Sequence, residues 1–134
     1  MSMLSGGNVY EKLGVRAVIN AHGNQTVLGG SPPPQVVRDA MDEADATFVE
    51  MRELLDKAGQ FIGGVLGTEY AYVTSGCAAA LTLSTAGCMA GTDPDKVSRL
   101  PDTTGMKNEI ILQQKQRYGF DRCYTLAGGK LVTA

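Results

Sequence analysis

The first half of the chain predicts two amphipathic helices, because apolar residues recur there every three or four positions. One helix begins near Pro34, since proline is well tolerated in the first turn of a helix. The other spans residues 50–66, ends at Gly67 and has the more regular apolar stripe. We expect this stripe to lie in the core; it consists of Met51, Leu54, Leu55, Ala58, Phe61, Ile62 and Val65.

The remaining pattern alternates short apolar runs with helical segments. Residues 76–91 carry almost no charge and therefore predict a buried helix. Further helical turns are predicted at 94–99 and within 122–129. Runs rich in β-branched, aromatic or aliphatic residues predict the strands, at 16–21, 69–74, 109–113 and 130–134. Strands that alternate with helices are the order expected of a parallel α/β sheet.

The last predicted strand reaches the end of the sequence. A parallel strand requires neighbouring strands and helices on both faces of the sheet. We therefore expect an α/β fold in which N-terminal helices precede the first part of a mainly parallel sheet in a larger enzyme. The predicted organisation is an N-terminal arm with helices at 1–68 and the first part of an incomplete large domain at 69–134.

Composition narrows the classes of partner. The 134 residues carry a net charge of −2, which argues against a general nucleic-acid or membrane-surface binder. No apolar run is long enough to span a bilayer, and the N-terminus lacks the pattern of a signal peptide. The three cysteines have no metal-type spacing, which fits free thiols in a reducing cytosol. We expect a cytoplasmic protein.

The stretch "YAYVTSGCAAA" at 70–80 contains the most informative chemistry. A predicted strand runs into a helix through Thr74, Ser75 and Gly76, with Cys77 next. The first N–H groups of a helix lack intrahelical partners, and glycine and hydroxyl side chains favour an approaching anion there. Motifs for a Walker loop, a dinucleotide fingerprint and a nucleophile elbow are absent. A phosphate site is one interpretation; Ser75 as an ordinary N-cap is the other.

Four motifs occur in a specific order: "VINAHGNQTVLGGSPPPQVV", "YVTSGCAAAL", "RLPDTTGMKNEIILQ" and "DRCYTLAGGKLV". Together they resemble the selenocysteine-synthase-like (seryl-tRNA selenium transferase-related) branch of fold type I pyridoxal-phosphate enzymes. Within that branch, the sequence is most similar to amino-sugar-acid ammonia lyases of the D-glucosaminate-6-phosphate type. The resemblance extends from about Val9 to the last residue.

The resemblance implies pyridoxal 5′-phosphate as cofactor and a homo-oligomeric enzyme. It assigns the grip on the cofactor phosphate to Thr74, Ser75, Gly76 and the Cys77 amide. It assigns the position stacked over the pyridine ring to Gln116, where relatives often have histidine; a solvated loop side chain is the alternative. The lysine that forms the Schiff base in such enzymes has no match in this sequence, so we expect this chain by itself to be inactive.

Substrate contacts are predicted in two loops. In relatives the segment with Asn20, His22 and Thr26 lies near the active site, although its glycines are also typical of ordinary turns. Arg117 has the chemistry to bind a substrate phosphate or carboxylate with two hydrogen bonds, and an exposed surface charge is the alternative.

Two functions remain open from the sequence. The first is a pyridoxal-phosphate-dependent lyase or transferase that acts on a small amino acid or amino-sugar acid by β-elimination or ammonia release. The missing basic patch argues mildly against tRNA as substrate. The alternative is a catalytically inactive oligomerisation or interaction module.

Overall fold

The computed structural model describes residues 7–134. The chain forms two compact units, of which one ends at Val49 and the other comprises Glu50–Ala134. The boundary predicted between residues 68 and 69 concerns the domains of a larger enzyme and stays a prediction. In the part of the chain that the structure describes, no helix is both long and apolar enough to cross a membrane.

The first unit consists of short helices joined by extended loops. Helix α1 (Val9–Lys12) is followed by a 3₁₀ helix (Thr26–Leu28) and by α2 (Gln35–Asp45), which confirms the helix predicted after Pro34. The strand predicted at 16–21 is wrong. No strand pairs with this segment among the described residues, and Ile19 is 99% exposed. A β-branched run becomes a strand only where a partner accepts its hydrogen bonds.

The second unit begins with α3 (Met51–Leu66), which confirms the predicted helix. Its predicted core stripe is wrong in this unit, because none of the seven residues is buried: Leu55, Ala58 and Ile62 are half-buried, and the other four are exposed. The buried positions of α3 are Gly59 and Gly63, and Phe61 is 73% exposed. The reason is a close backbone approach. The chain turns at Gly67 and returns along the glycine face, where the Ala71 N–H donates to the Gly59 carbonyl at 3.1 Å.

The following elements build a small α/β layer. Helix α4 (Cys77–Ala90) and helix α5 (Pro94–Arg99) precede strand β1 (Glu109–Leu112). A 3₁₀ helix (Gln114–Gln116) and helix α6 (Arg122–Leu126) then lead to strand β2 (Lys130–Thr133). Strands β1 and β2 are parallel and pair Ile110 with Leu131, as the order of elements predicted.

The strand predicted at 69–74 does not form. Residues 70–74 have no regular secondary structure, and neither β1 nor β2 pairs with them. Instead, Ala71 is bonded to the backbone of α3, so this segment has an extended path without a ladder. Among the described residues, the molecule is thus mainly helical with a two-stranded parallel sheet.

The core of the second unit lies between α4 and α6. The buried apolar residues are Met89, Ala90, Cys123 and Ala127. Helix α4 is therefore buried along one face only, and its Leu83 and Cys88 are exposed, so the prediction of a buried helix holds for that one face.

Candidate functional site

The first turn of α4 is an uncapped helix N-terminus. The N-cap is Gly76, so the alternative that the Ser75 hydroxyl caps this helix is wrong. The Thr74 hydroxyl donates to the Gly76 carbonyl at 2.9 Å and accepts from the Gly76 N–H at 3.4 Å. Thr74 therefore shapes the turn, while the first amides of α4 find no hydrogen-bond acceptor among the described residues.

Gly76 gives this turn its form and its openness. Its φ of 152° and ψ of 174° lie in a region that is essentially restricted to glycine. A Cβ placed on Gly76 would meet nothing within 4 Å, so the space in front of the backbone is open. The 14-residue helix adds about half a positive charge at this end. The turn at Thr74–Cys77 therefore has the shape and polarity to fit a phosphate.

Contacts between α4 and α6 set the position of the second candidate loop. The Thr82 hydroxyl donates to the Cys123 carbonyl at 3.0 Å, and a Cβ on Gly129 would lie 3.3 Å from the Thr85 methyl group. The contacts therefore advance along both segments in the same direction, from Thr82 and Cys123 to Thr85 and Gly129. Extending this register backwards places the loop that precedes Cys123 beside the first turn of α4.

The electrostatics of Tyr118 agree with this register. Partial burial raises the pKa of the Tyr118 phenol, and the nearby ionisable groups of Tyr124, Cys77 and Asp121 raise it further. Such an influence falls off with distance. Cys77, at the start of α4, and Tyr118, in the loop before α6, therefore lie on the same side of the second unit.

The two residues predicted in this loop differ in how firmly they are held. Gln116 ends the 3₁₀ helix and has an exposed side chain, and its stacking role stays a prediction. The Arg117 Nε forms a very short salt bridge to the Asp121 carboxylate, while the Arg117 side chain is 40% exposed. Arg117 is thus neither a free surface charge nor a buried one.

Asp121 and Tyr118 are candidate site residues that the sequence did not indicate. Asp121 is only 6% exposed, and its Oδ2 accepts from the Arg117 Nε and from the Tyr118 N–H. Its Oδ1 is buried without a hydrogen-bond partner among the described residues. The four-residue spacing of Arg117 and Asp121 was the available signal, but it could not reveal that the carboxylate is buried.

The predicted substrate loop belongs to the first unit. The Asn20 side-chain amide donates to the Gly23 carbonyl at 2.7 Å, and its oxygen accepts from the His22 N–H at 3.0 Å. The Thr26 carbonyl accepts from the Gly29 N–H at 3.0 Å. All three side chains are exposed, and within this unit Asn20 closes a turn. Their roles towards a substrate stay predictions.

Sequence comparison finds two curated relatives, and no family model matches the chain. A D-glucosaminate-6-phosphate ammonia lyase from Salmonella typhimurium is 33% identical over 129 residues, which are 93% of this chain and 35% of the lyase. A 5′-C-glycyluridine monooxygenase-decarboxylase from a Streptomyces species is 37% identical over 128 residues, which are 92% of this chain and 32% of that enzyme.

Structural comparison agrees with the first relative. The solved structure of a D-glucosaminate-6-phosphate ammonia-lyase superposes with a TM-score of 0.88 at 31% identity, covering 95% of this chain and 36% of the lyase. The chain therefore spans about a third of the length of the relatives that it matches. Over that third, it is similar in both sequence and fold to D-glucosaminate-6-phosphate ammonia lyase.

Proposed function

We propose that the protein is a fold type I lyase that depends on pyridoxal 5′-phosphate and acts on an amino acid or amino-sugar acid. The observation that carries this proposal is the open turn at Thr74–Cys77, which fits a phosphate and belongs to a chain 33% identical to an ammonia lyase. When bound, the cofactor supplies an electron sink that stabilises negative charge on the substrate.

The residues of this chain would bind and orient. The free amides at the start of α4 and the Ser75 hydroxyl would donate to the cofactor phosphate, in the field of the helix dipole. Thr74 would keep Gly76 in the conformation that exposes these donors. Gln116 would lie over the pyridine ring, and the Arg117 guanidinium would take an anionic group of the substrate.

A second candidate is supported by the other relative. The 37% identity to a monooxygenase-decarboxylase favours an oxidative decarboxylation built on the same binding turn. The two candidates consume different reagents, because only the second requires molecular oxygen.

We also propose that the protein assembles with protein partners, in first place with copies of itself. Several large apolar side chains are largely exposed, among them Ile19 and Val27 in the first unit and Ile111, at 72% exposure, in the second. Exposed apolar surface of this kind is typical of protein interfaces. A catalytically inactive interaction module would use the same exposed surface. Only an activity assay therefore distinguishes the enzyme from such a module.

One assay separates these functions. The longest form of the protein in which this sequence occurs is incubated with pyridoxal phosphate and D-glucosaminate 6-phosphate, and released ammonia is measured. Oxygen consumption is followed in parallel with 5′-C-glycyluridine. We expect ammonia release without oxygen uptake. Oxygen uptake with the uridine substrate would favour the second candidate, and turnover of neither substrate would leave the interaction module.

A further inference from the structure

The proposed function leaves one buried charge unexplained. Asp121 is 6% exposed, its Oδ1 has no partner among the described residues, and its Oδ2 accepts from the Arg117 Nε and the Tyr118 N–H. A buried carboxylate is costly unless a charge and hydrogen bonds compensate it. The single salt bridge to Arg117 is the charge compensation found for Asp121 among the described residues.

The salt bridge also determines what Arg117 can offer. The guanidinium group is planar, so fixing its Nε against a buried carboxylate fixes the plane of the whole group. Its two terminal nitrogens form no hydrogen bond within the described part of the chain, and the side chain is 40% exposed. Two parallel N–H donors in a fixed plane match the oxygens of a carboxylate or phosphate.

The location adds to this geometry. The hydrogen bond from Thr82 to Cys123 and the influence of Cys77 on Tyr118 together indicate that the loop of Arg117 and Asp121 lies on the same side of the unit as the first turn of α4. If a ligand binds at that turn through one anionic group, Arg117 is therefore placed to bind a second anionic group of the same ligand. The open turn and the fixed guanidinium are separate sites for negative charge.

We propose that Asp121 is a positioning residue that fixes Arg117 as a fork for a carboxylate or phosphate group of the substrate. The identity of the ligand rests on the proposed function, whereas anion binding itself requires no catalysis. The competing explanation is a purely structural ion pair that ties the loop to α6.

The two explanations predict different changes in anion affinity when Asp121 loses its charge. Asp121→Asn removes a negative charge beside Arg117. If Asp121 acted only through its charge, an anion would bind the variant more tightly, because the remaining site is more positive. If Asp121 positions Arg117, the anion binds more weakly in spite of the more favourable charge. A merely structural ion pair predicts no weakening of anion binding in a folded variant.

The test is calorimetric titration of the full chain with D-glucosaminate 6-phosphate and with inorganic phosphate, without cofactor and at low salt. Arg117→Lys keeps the charge but loses the fork, and we expect binding of the sugar phosphate about tenfold weaker. The matched control is Arg122→Lys, because Arg122 is exposed and its Nε donates only to the Gly119 carbonyl at 3.0 Å. We expect the control to stay within about twofold of the parent protein, as is usual for an exposed charge.

For a folded Asp121→Asn variant we expect binding about threefold to tenfold weaker, since a fixed plane is what a bidentate contact requires. Equal or tighter binding would overturn the positioning role, and equal effects of Arg117→Lys and Arg122→Lys would overturn the fork. If Asp121→Asn does not fold, Asp121→Glu keeps the charge while displacing the carboxylate, and again only positioning predicts weaker binding.

Nitrogen NMR of the parent protein tests the Arg117 fork without a variant. The side-chain signals of Arg117, and not those of Arg122, should shift when inorganic phosphate is added; equal shifts would refute the fork. Anion binding that behaves as expected while no ammonia is released would refute the proposed function and leave the fork intact.

Discussion

Replacing Gly59 by alanine tests the close approach that leads the chain into the candidate site. A Cβ at Gly59 would contact the Ala71 carbonyl and the Tyr70 ring, with the Tyr70 Oη only 2.7 Å away. The Ala71 carbonyl cannot swing aside because it is backbone, and the Tyr70 ring lies against α3, where its hydroxyl donates to the Leu55 carbonyl at 3.5 Å. By contrast, a Cβ at Gly64, in the same helix, would meet nothing within 4 Å.

The two substitutions give a matched pair. Alanine in place of glycine stabilises a helix interior by about 0.5–1 kcal/mol, and this gain is common to both variants. It therefore cancels in their difference. What remains is the cost of forcing a methyl group into an occupied space, about 1–3 kcal/mol. We expect Gly64→Ala to be more stable than the parent protein and Gly59→Ala to be less stable.

The assay is urea unfolding followed by circular dichroism, with the slope checked for an unchanged two-state transition. Loss of the contact between Gly59 and Ala71 would also loosen the segment that leads to the turn at Thr74. Amide exchange at Ala71 should therefore accelerate in Gly59→Ala and not in Gly64→Ala. Equal stability of the two variants would refute the packing of residues 68–71 on the glycine face of α3.

Three further predictions concern the turn and its surroundings. Ser75→Ala should weaken pyridoxal phosphate binding by about 1.5–3 kcal/mol, as expected for a lost hydrogen bond to a charged group, with an unchanged thermal midpoint; unaltered affinity in an equilibrium titration would remove Ser75 from the site. Gly76→Ala should destabilise the chain by about 1–3 kcal/mol through backbone strain, although a Cβ there touches nothing, and an unfolding curve identical to that of the parent would contradict the observed φ. Partial desolvation and neighbouring ionisable groups raise the pKa of the Tyr118 phenol, so its contribution to stability is complete below the unfolded pKa, near 10, and is lost as the pH rises through the folded pKa. Unfolding measured across this range should show a smaller loss of stability for Tyr118→Phe, and parallel losses would count against the raised pKa of the phenol.

Local patterns predicted helices α2 to α6 and two of the four strands, whereas the short helix α1 was not predicted. The stripes of α2 and α3, the proline at the start of α5 and the glycine before α4 are signals within a few residues. The strand predictions at 16–21 and 69–74 were wrong because a strand forms only beside a partner strand, and a local sequence pattern carries no information about that partner. Amphipathic spacing likewise located α3 but could not say what would cover its stripe.

The candidate site likewise contains residues that the local sequence indicates and residues that depend on tertiary packing. The turn at Thr74–Cys77 was predictable, because glycine and hydroxyl residues before an alanine-rich helix are a local signal. Asp121 was not, because its role depends on burial between α6 and the loop, and burial arises from tertiary packing. Cys77 and Tyr118 are 41 positions apart in the sequence, and only the register of α4 against α6 brings them to one side.

The most direct test of the central claim is an amide NMR titration of the protein with pyridoxal phosphate and, separately, with pyridoxal, which lacks the phosphate. If the first turn of α4 binds the phosphate, the amides of Gly76, Cys77 and Ala78 will shift with pyridoxal phosphate and not with pyridoxal, and Ser75→Ala will weaken the response. Equal shifts with both compounds, or shifts confined to residues remote from Thr74–Cys77, would contradict it.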